Sequence, residues 1–177
     1  MSKKAFFFDR DGIINKRKID GYITTKEQFI FEDDFFNIFK TIVLQDFLTI
    51  VITNQQGVGK GLMSESDLLE IHTLMQDILL EKTGFQFDGI YYCSDLATSG
   101  SFRRKPNPGM IVEAIEDFNI DTNGSWIIGD SPSDVQAGKS AGCQTILIGD
   151  YPPDFPNADL VYISLKQFSN TISNFKY

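Results

Sequence analysis

The stretch Ala5-Phe6-Phe7-Phe8-Asp9-Arg10-Asp11-Gly12 decides how this chain folds. A short apolar run, closed off by charge and then glycine, reads as a buried strand that delivers two acids to its C-terminal edge. The carboxyl end of a parallel strand is where α/β proteins bind ligands. Two acids there take different roles only if the chain turns between strand and loop, and Gly12 permits the turn.

Working outward, apolar strands and amphipathic helices alternate. Helical spacing covers residues 35–46 and is followed by a β-rich run over 48–53. A capping-box-like start at Ser64 opens a helix to about residue 82, ahead of Gly84. A strand over 89–92, a helix over 108–118 with proline near its first turn, and a strand over 126–129 come next. Residues 133–141 read as a helix stopped by Gly142, 145–148 and 160–163 as strands, and the chain beyond 165 as a helix. This rhythm predicts one domain over residues 1–177: a doubly wound, three-layer α/β/α fold on a mainly parallel sheet. No insert exceeds loop size, so no large cap domain is expected, and the proline-rich segment 152–156 reads as a surface loop.

With 177 residues the chain is long enough for one sizeable core. Its net charge of -8 argues against nonspecific binding to nucleic acid or an anionic membrane, although Arg103-Arg104-Lys105 could form a local basic pocket. No apolar stretch approaches the roughly 20 residues that span a bilayer. No signal-peptide pattern precedes the first strand, and two distant cysteines, Cys93 and Cys143, form no framework. A reduced, cytoplasmic setting is expected, with no nucleic-acid or membrane partner and a monomeric state.

Several strand ends carry polar, reactive groups: Asp9 and Asp11, then Thr53-Asn54-Gln55, then Gly129-Asp130-Ser131, with Lys105 on a loop after another strand. In a doubly wound sheet these ends converge on one crevice. Such a set suits phosphoryl transfer, where positioning and electrostatics supply most of the catalysis. Carboxylates suit Mg²⁺. One Asp can attack phosphorus, a second can serve as general acid and base, and Thr53 and Lys105 can bond the phosphoryl oxygens.

Asp9-x-Asp11-Gly12, Thr53, Lys105 before Pro106, and Gly129-Asp130-x-x-x-Asp134 resemble, in order, the four motifs of the haloacid dehalogenase (HAD) superfamily of phosphohydrolases. The resemblance implies a HAD-like Rossmannoid fold, Asp9 as nucleophile, Asp11 as general acid/base, and Thr53 and Lys105 as phosphoryl stabilisers. It implies Mg²⁺ held by the Asp9 carboxylate, the Asp11 main-chain carbonyl and Asp130, with Asp134 behind these ligands or a further one. An acid at Asp11 points to a phosphatase, because the superfamily's dehalogenases use none there.

A narrower similarity runs through residues 8–15, Gly21-Tyr22, 53–61 and 104–110 to the D-glycero-D-manno-heptose 1,7-bisphosphate phosphatases, a pattern shared by the histidinol-phosphate phosphatases. It implies substrate contacts at Asp20, Gly21, Tyr22, Asn54, Gln55, Gln56, Arg104 and Ser131. The implied reaction is removal of the 7-phosphate of a heptose bisphosphate. Histidinol phosphate and a noncatalytic phosphate-binding module are the alternatives, and a polynucleotide 3′-phosphatase is disfavoured by the acidic charge. Many relatives hold a structural zinc through Cys-x-His and a later Cys-x-Cys. Here Cys93 keeps the first position, but Asp95, Ser101 and Arg103 replace the other ligands, so no structural zinc is expected and the loop over 94–103 is shortened.

Other features read as structural. Gly57-Val58-Gly59-Lys60-Gly61 lacks the glycine and hydroxyl of a Walker loop and reads as a flexible, substrate-side turn. His72 falls inside a helix, Cys143 reads as a small packed hydrophobe, and Glu32-Asp33-Asp34 as a cap and solvated turn. The 16 phenylalanines fit a core better than a base-stacking surface.

Overall fold

The structure, a computed structural model, describes residues 2–174. Its centre is the strand that the opening stretch predicts, β1 (Ala5–Phe8), in which all four residues are buried. It pairs in parallel with β2 (Leu48–Asn54) on one side and β4 (Trp126–Gly129) on the other. Beyond these lie β3 (Gly89–Cys93), β5 (Gln144–Ile148) and β6 (Leu160–Tyr162), giving an all-parallel, six-stranded sheet in the order β3-β2-β1-β4-β5-β6. The chain winds outward from β1 to β3, then crosses back to β4 and winds the other way. The direction reverses between β1 and β4, and a parallel sheet opens a crevice at such a switch point.

Helices α1 (Phe35–Val43), α3 (Glu65–Thr83) and α6 (Leu165–Thr171) cover one face, and α4 (Gly109–Phe118) and α5 (Pro132–Ser140) cover the other. The two-residue period of β1 sorts its side chains between them. Phe6 and Phe8 pack with Phe35, Phe39, Leu68, Met75 and Phe168, whereas Ala5 and Phe7 pack with Met110, Ile111, Ala114 and Ala137. Phe8 meets Phe35 edge-on, with ring centroids 5.4 Å apart. Each buried phenylalanine contributes about 1.5–3 kcal/mol of transfer free energy. Both faces of β1 are therefore sealed, while the outer strands β3 and β6 stay half-buried.

Element boundaries follow local chemistry. Ser64 and Asp67 form the capping box of α3, and Gly84 ends it in the left-handed region. Helix α1 stops at Val43, three residues short of the expectation, because the chain turns through Asp46 at φ 63. Pro132 opens α5 one residue earlier than expected, with Ser131 as its N-cap. The segment expected as a flexible turn is a single helical turn, α2 (Gln56–Gly59). Gly59 serves close packing, since a Cβ there would run into the main-chain oxygen of Ser94. No helix among the described residues is long and apolar enough to cross a membrane.

Candidate active site

The sheet's C-terminal edge gathers the polar strand ends into a cavity of about 580 Å³, lined by Asp9, Asp11, Asn54, Gln55, Lys105 and Asp134 on its floor. Asp9 is the first residue past β1, and its N–H donates to Ile128 O at 3.0 Å, extending the β1–β4 ladder by one step. Its Oδ1 accepts from the N–H of Arg10 and from Lys105 Nζ, both at 2.8 Å. Lys105 Nζ also donates to Ile52 O at 2.8 Å and pairs with Asp134 Oδ1 at 2.6 Å. The loop that carries Lys105 is fastened to the end of β2. Asn54 Nδ2 donates to Lys105 O at 3.0 Å, and Lys105 N–H donates to Asn54 Oδ1 at 3.1 Å.

Past Asp9 the chain turns, with Ile14 N–H donating to Arg10 O at 2.8 Å. This lets Asp11 face a different set of neighbours. Arg10 Nη2 contacts both its carboxylate oxygens at 3.1 Å, Asn15 Nδ2 donates to Oδ1 at 2.9 Å, and Gln55 Nε2 donates to Oδ2 at 3.0 Å. The same Gln55 nitrogen lies 2.8 Å from Thr53 Oγ1, so one amide ties the end of β2 to Asp11. Arg10 is fully buried, and its Nη1 lies 3.5 Å from Nε2 of buried His72.

Asp130 follows β4. Arg17 Nη2 donates to its Oδ1 at 2.7 Å and to the main-chain oxygen of Asp11 at 3.3 Å. Gly12, at φ 98, lies so close that a Cβ would overlap the Asp130 carboxylate. Asp134 Oδ2 accepts from the N–H of Ser131 at 3.1 Å and its hydroxyl at 2.8 Å, so both carboxylate oxygens of Asp134 are engaged.

Charge follows from this geometry. Three carboxylates, Asp9, Asp130 and Asp134, each place an oxygen within 4.8 Å of the others, around one buried ammonium. Burial pushes the Asp9 carboxyl up to about 6, with the Lys105 charge opposing and the Asp134 charge adding. Burial, reinforced by Asp9, raises Asp130 to about 7, against the pull of Arg17. Burial would also raise Asp11, but the Arg10 charge and the bonds from Asn15, Arg10 and Gln55 outweigh it and hold Asp11 below its ordinary value. Lys105 is raised: burial disfavours its charge, but Asp134 and Asp9 more than compensate. His72 is driven down to about 3 by burial and by Arg10, so it faces that guanidinium as a neutral ring. The cluster is short of positive charge, and its hard oxygen donors fit a divalent cation such as Mg²⁺.

The rim is built differently. The phenolic oxygen of Tyr22 (Oη) accepts from Gln56 Nε2 at 2.8 Å and Lys60 Nζ at 2.9 Å, and that ammonium also sits 5.2 Å from the centre of the tyrosine ring. Asp20, Gly21, Tyr22 and Ser131 line the cavity, together with Arg17, Lys18 and Lys60, which the sequence reading left unassigned. Gln56 reaches the cavity only through Tyr22, and Arg104 donates to Asp95 O at 2.9 Å rather than lining the wall. Cys93, Asp95 and Ser101 are joined by weak contacts: Cys93 Sγ lies 3.5 Å from Asp95 Oδ2 and 3.9 Å from Ser101 Oγ. Asn107 Nδ2 donates to Ser101 O at 2.9 Å and closes the loop. His72 and Cys143 are buried, as expected of structural residues.

A six-stranded parallel sheet with acids past β1 and β4, a threonine next to the end of β2 and a buried lysine between them defines a HAD-like hydrolase. The HAD-hydrolase-like family matches residues 102–153. Within that class, the chain belongs to the heptose-bisphosphate phosphatase family. It is 39% identical over 155 residues to the D-glycero-alpha-D-manno-heptose-1,7-bisphosphate 7-phosphatase of Burkholderia mallei, covering 84% of this chain and 80% of that one. It is 34% identical over 176 residues to the D-glycero-beta-D-manno-heptose-1,7-bisphosphate 7-phosphatase of Helicobacter pylori, covering 99% of both. Among solved structures, the D,D-heptose 1,7-bisphosphate phosphatase of B. bronchiseptica, complexed with magnesium and phosphate, superposes with a TM-score of 0.85 at 26% identity. That match covers 97% of this chain and 98% of that one.

Proposed function

We propose that the protein removes the 7-phosphate of D-glycero-D-manno-heptose 1,7-bisphosphate through an aspartyl-phosphate on Asp9, the described chain acting as one catalytic unit. The observation that carries this reading is the buried Asp9 carboxylate, fixed at 2.8 Å from Lys105, beside an Asp11 carboxylate with separate partners. Two carboxylates in contrasting environments can divide nucleophilic and proton-transfer work.

Asp9 attacks phosphorus while Asp11, which takes up a proton as the substrate binds, gives that proton to the departing sugar oxygen as the P–O bond breaks. Asp11, now a carboxylate, takes a proton from the water that attacks the aspartyl-phosphate. Inorganic phosphate leaves, and both side chains return to their starting forms. The donors from Arg10, Asn15 and Gln55 favour the carboxylate that the second half needs. Lys105 and Thr53 bond the phosphoryl oxygens, with Lys105 positioned by Asp134. The Asp9 and Asp130 carboxylates and the Asp11 carbonyl would hold Mg²⁺, which when bound supplies Lewis-acid polarisation and charge neutralisation at the phosphoryl group. Asp134, with both oxygens engaged, supports this set from behind.

Asp20, Gly21, Tyr22, Asn54, Gln55, Gln56, Arg104 and Ser131 would contact the sugar and its second phosphate, Arg104 by leaving the Asp95 carbonyl. The enzyme is read as a cytoplasmic monomer that contains no structural zinc. Metal analysis of the purified protein is expected to find less than stoichiometric zinc.

The test is phosphate release from both heptose 1,7-bisphosphate anomers, histidinol phosphate and a 3′-phosphorylated oligonucleotide, with Mg²⁺ and with EDTA. Strong Mg²⁺-dependent release from a heptose bisphosphate is expected. A preference for histidinol phosphate would keep the chemistry and replace the substrate. Release from none of them would overturn the proposed substrate.

A further inference from the structure

The Arg17 guanidinium lies across two oxygens of the proposed cation site. Its Nη2 is 2.7 Å from Asp130 Oδ1 and 3.3 Å from the main-chain oxygen of Asp11. Arginine stays charged at any working pH, so a guanidinium there and a divalent ion on the same oxygens exclude one another. We propose that Arg17 is a tethered cation that competes with Mg²⁺ for this site, so that loading the ion requires its side chain to swing out. The proposal rests on the reading of Asp9, Asp11 and Asp130 as the cation site.

Its placement allows the exchange. Residues 16–21 form an exposed loop, and the Arg17 side chain is 53% exposed. The chain just before it is anchored: Asn15 bridges to Phe31, and Lys16 N–H donates to Ile30 O at 2.8 Å. The guanidinium can therefore leave by side-chain rotation without moving a strand. Arg10 offers the contrast. It is fully buried, and it faces the Asp11 side chain rather than the main-chain oxygen.

Charge gives the tether its purpose. Lys105, the buried ammonium of the cluster, is committed to Asp9, Asp134 and Ile52 O. Asp130 is left to Arg17, which neutralises it until a stronger cation arrives. A competitor that holds the site part of the time lowers the apparent affinity by the fraction of time the site is free.

The experiment is calorimetric titration of MgCl₂ into the full-length protein and its Arg17→Ala, Arg17→Gln, Lys18→Ala and Asp130→Asn variants. Both Arg17 variants are expected to bind Mg²⁺ about tenfold more tightly, equivalent to ~1.4 kcal/mol. Lys18→Ala removes the same charge one residue away from the contact and is expected to change affinity far less. In EDTA the Arg17 variants should melt below the wild type, with the gap closing as Mg²⁺ is added. Unchanged or weaker Mg²⁺ binding in the Arg17 variants would overturn the competition, as would equal gains in Arg17→Ala and Lys18→Ala. An Asp130→Asn protein that titrates like the wild type would remove the cation site and the proposal with it. Tighter binding in the Arg17 variants of a protein that releases no phosphate would sink the functional reading and leave the competition standing.

Discussion

The floor and the rim of the cavity are made by different rules. On the floor, Lys105 makes three charged or polar contacts within 2.8 Å, and Asp11 is held by three neighbouring side chains, two of them fully buried. On the rim, Tyr22, Gln56 and Lys60 share one phenolic oxygen, and Arg104 rests on a loop carbonyl. The floor is over-determined, so its chemistry tolerates little change. The rim is lightly tethered and can be retuned, which suits a surface that chooses substrates.

The largest break should come from Asp9→Asn, which removes the proposed nucleophile. Turnover is expected to fall by at least about a thousandfold, and an Asp9→Asn protein with normal rates would end the covalent mechanism. Next is Lys105→Met, which strands the buried carboxylates of Asp9 and Asp134. Removing one partner of a buried pair is expected to lower stability by about 3–5 kcal/mol in urea unfolding. A protein of wild-type stability would show that the floor is not held together by this ammonium.

His72 tests the floor from beneath. In the unfolded chain it takes up a proton near pH 6.5, whereas the folded protein refuses that proton down to about 3. Its contribution to stability is therefore full above pH 6.5 and is lost as pH falls toward 3, with a slope of up to about 1.4 kcal/mol per pH unit. His72→Leu should flatten the acid limb of stability measured between pH 7.5 and pH 5, and an unchanged limb would remove His72 from that account. The smallest effect belongs to the rim. Tyr22→Phe takes away one acceptor near solvent, so KM should rise about two- to tenfold, with kcat and melting temperature nearly unchanged. A collapse of kcat instead would erase the distinction between rim and floor.

The floor was largely legible in the sequence because each member directly follows an apolar run or sits in a fixed motif. β1, β2 and β4 announce themselves by composition, and in a parallel sheet their ends must meet. What the pattern could not carry was long-range pairing. Arg17 and Asp130 stand 113 positions apart, and nothing local to either points to the other. Arg10 was visible as a cation between two acids, but its complete burial depends on packing contributed by His72, 62 positions away. The helical turn at α2 was missed because two glycines argue locally for flexibility. Gly59 is there because the Ser94 carbonyl leaves no room for a side chain. Nothing local to Arg104 announces that its guanidinium also bonds the loop carbonyl of Asp95.

The position of β1 has a consequence for how the molecule comes apart. It is hydrogen-bonded along both edges and covered on both faces, so its amides should be among the last to exchange with solvent. The exposed loop at 16–21 and the segment from 94 to 104 should open much earlier. As the protein is heated or chemically stressed, discrimination between substrates should therefore degrade before the capacity to cleave a phosphate ester does. Ageing enzyme would become less choosy before it becomes inert.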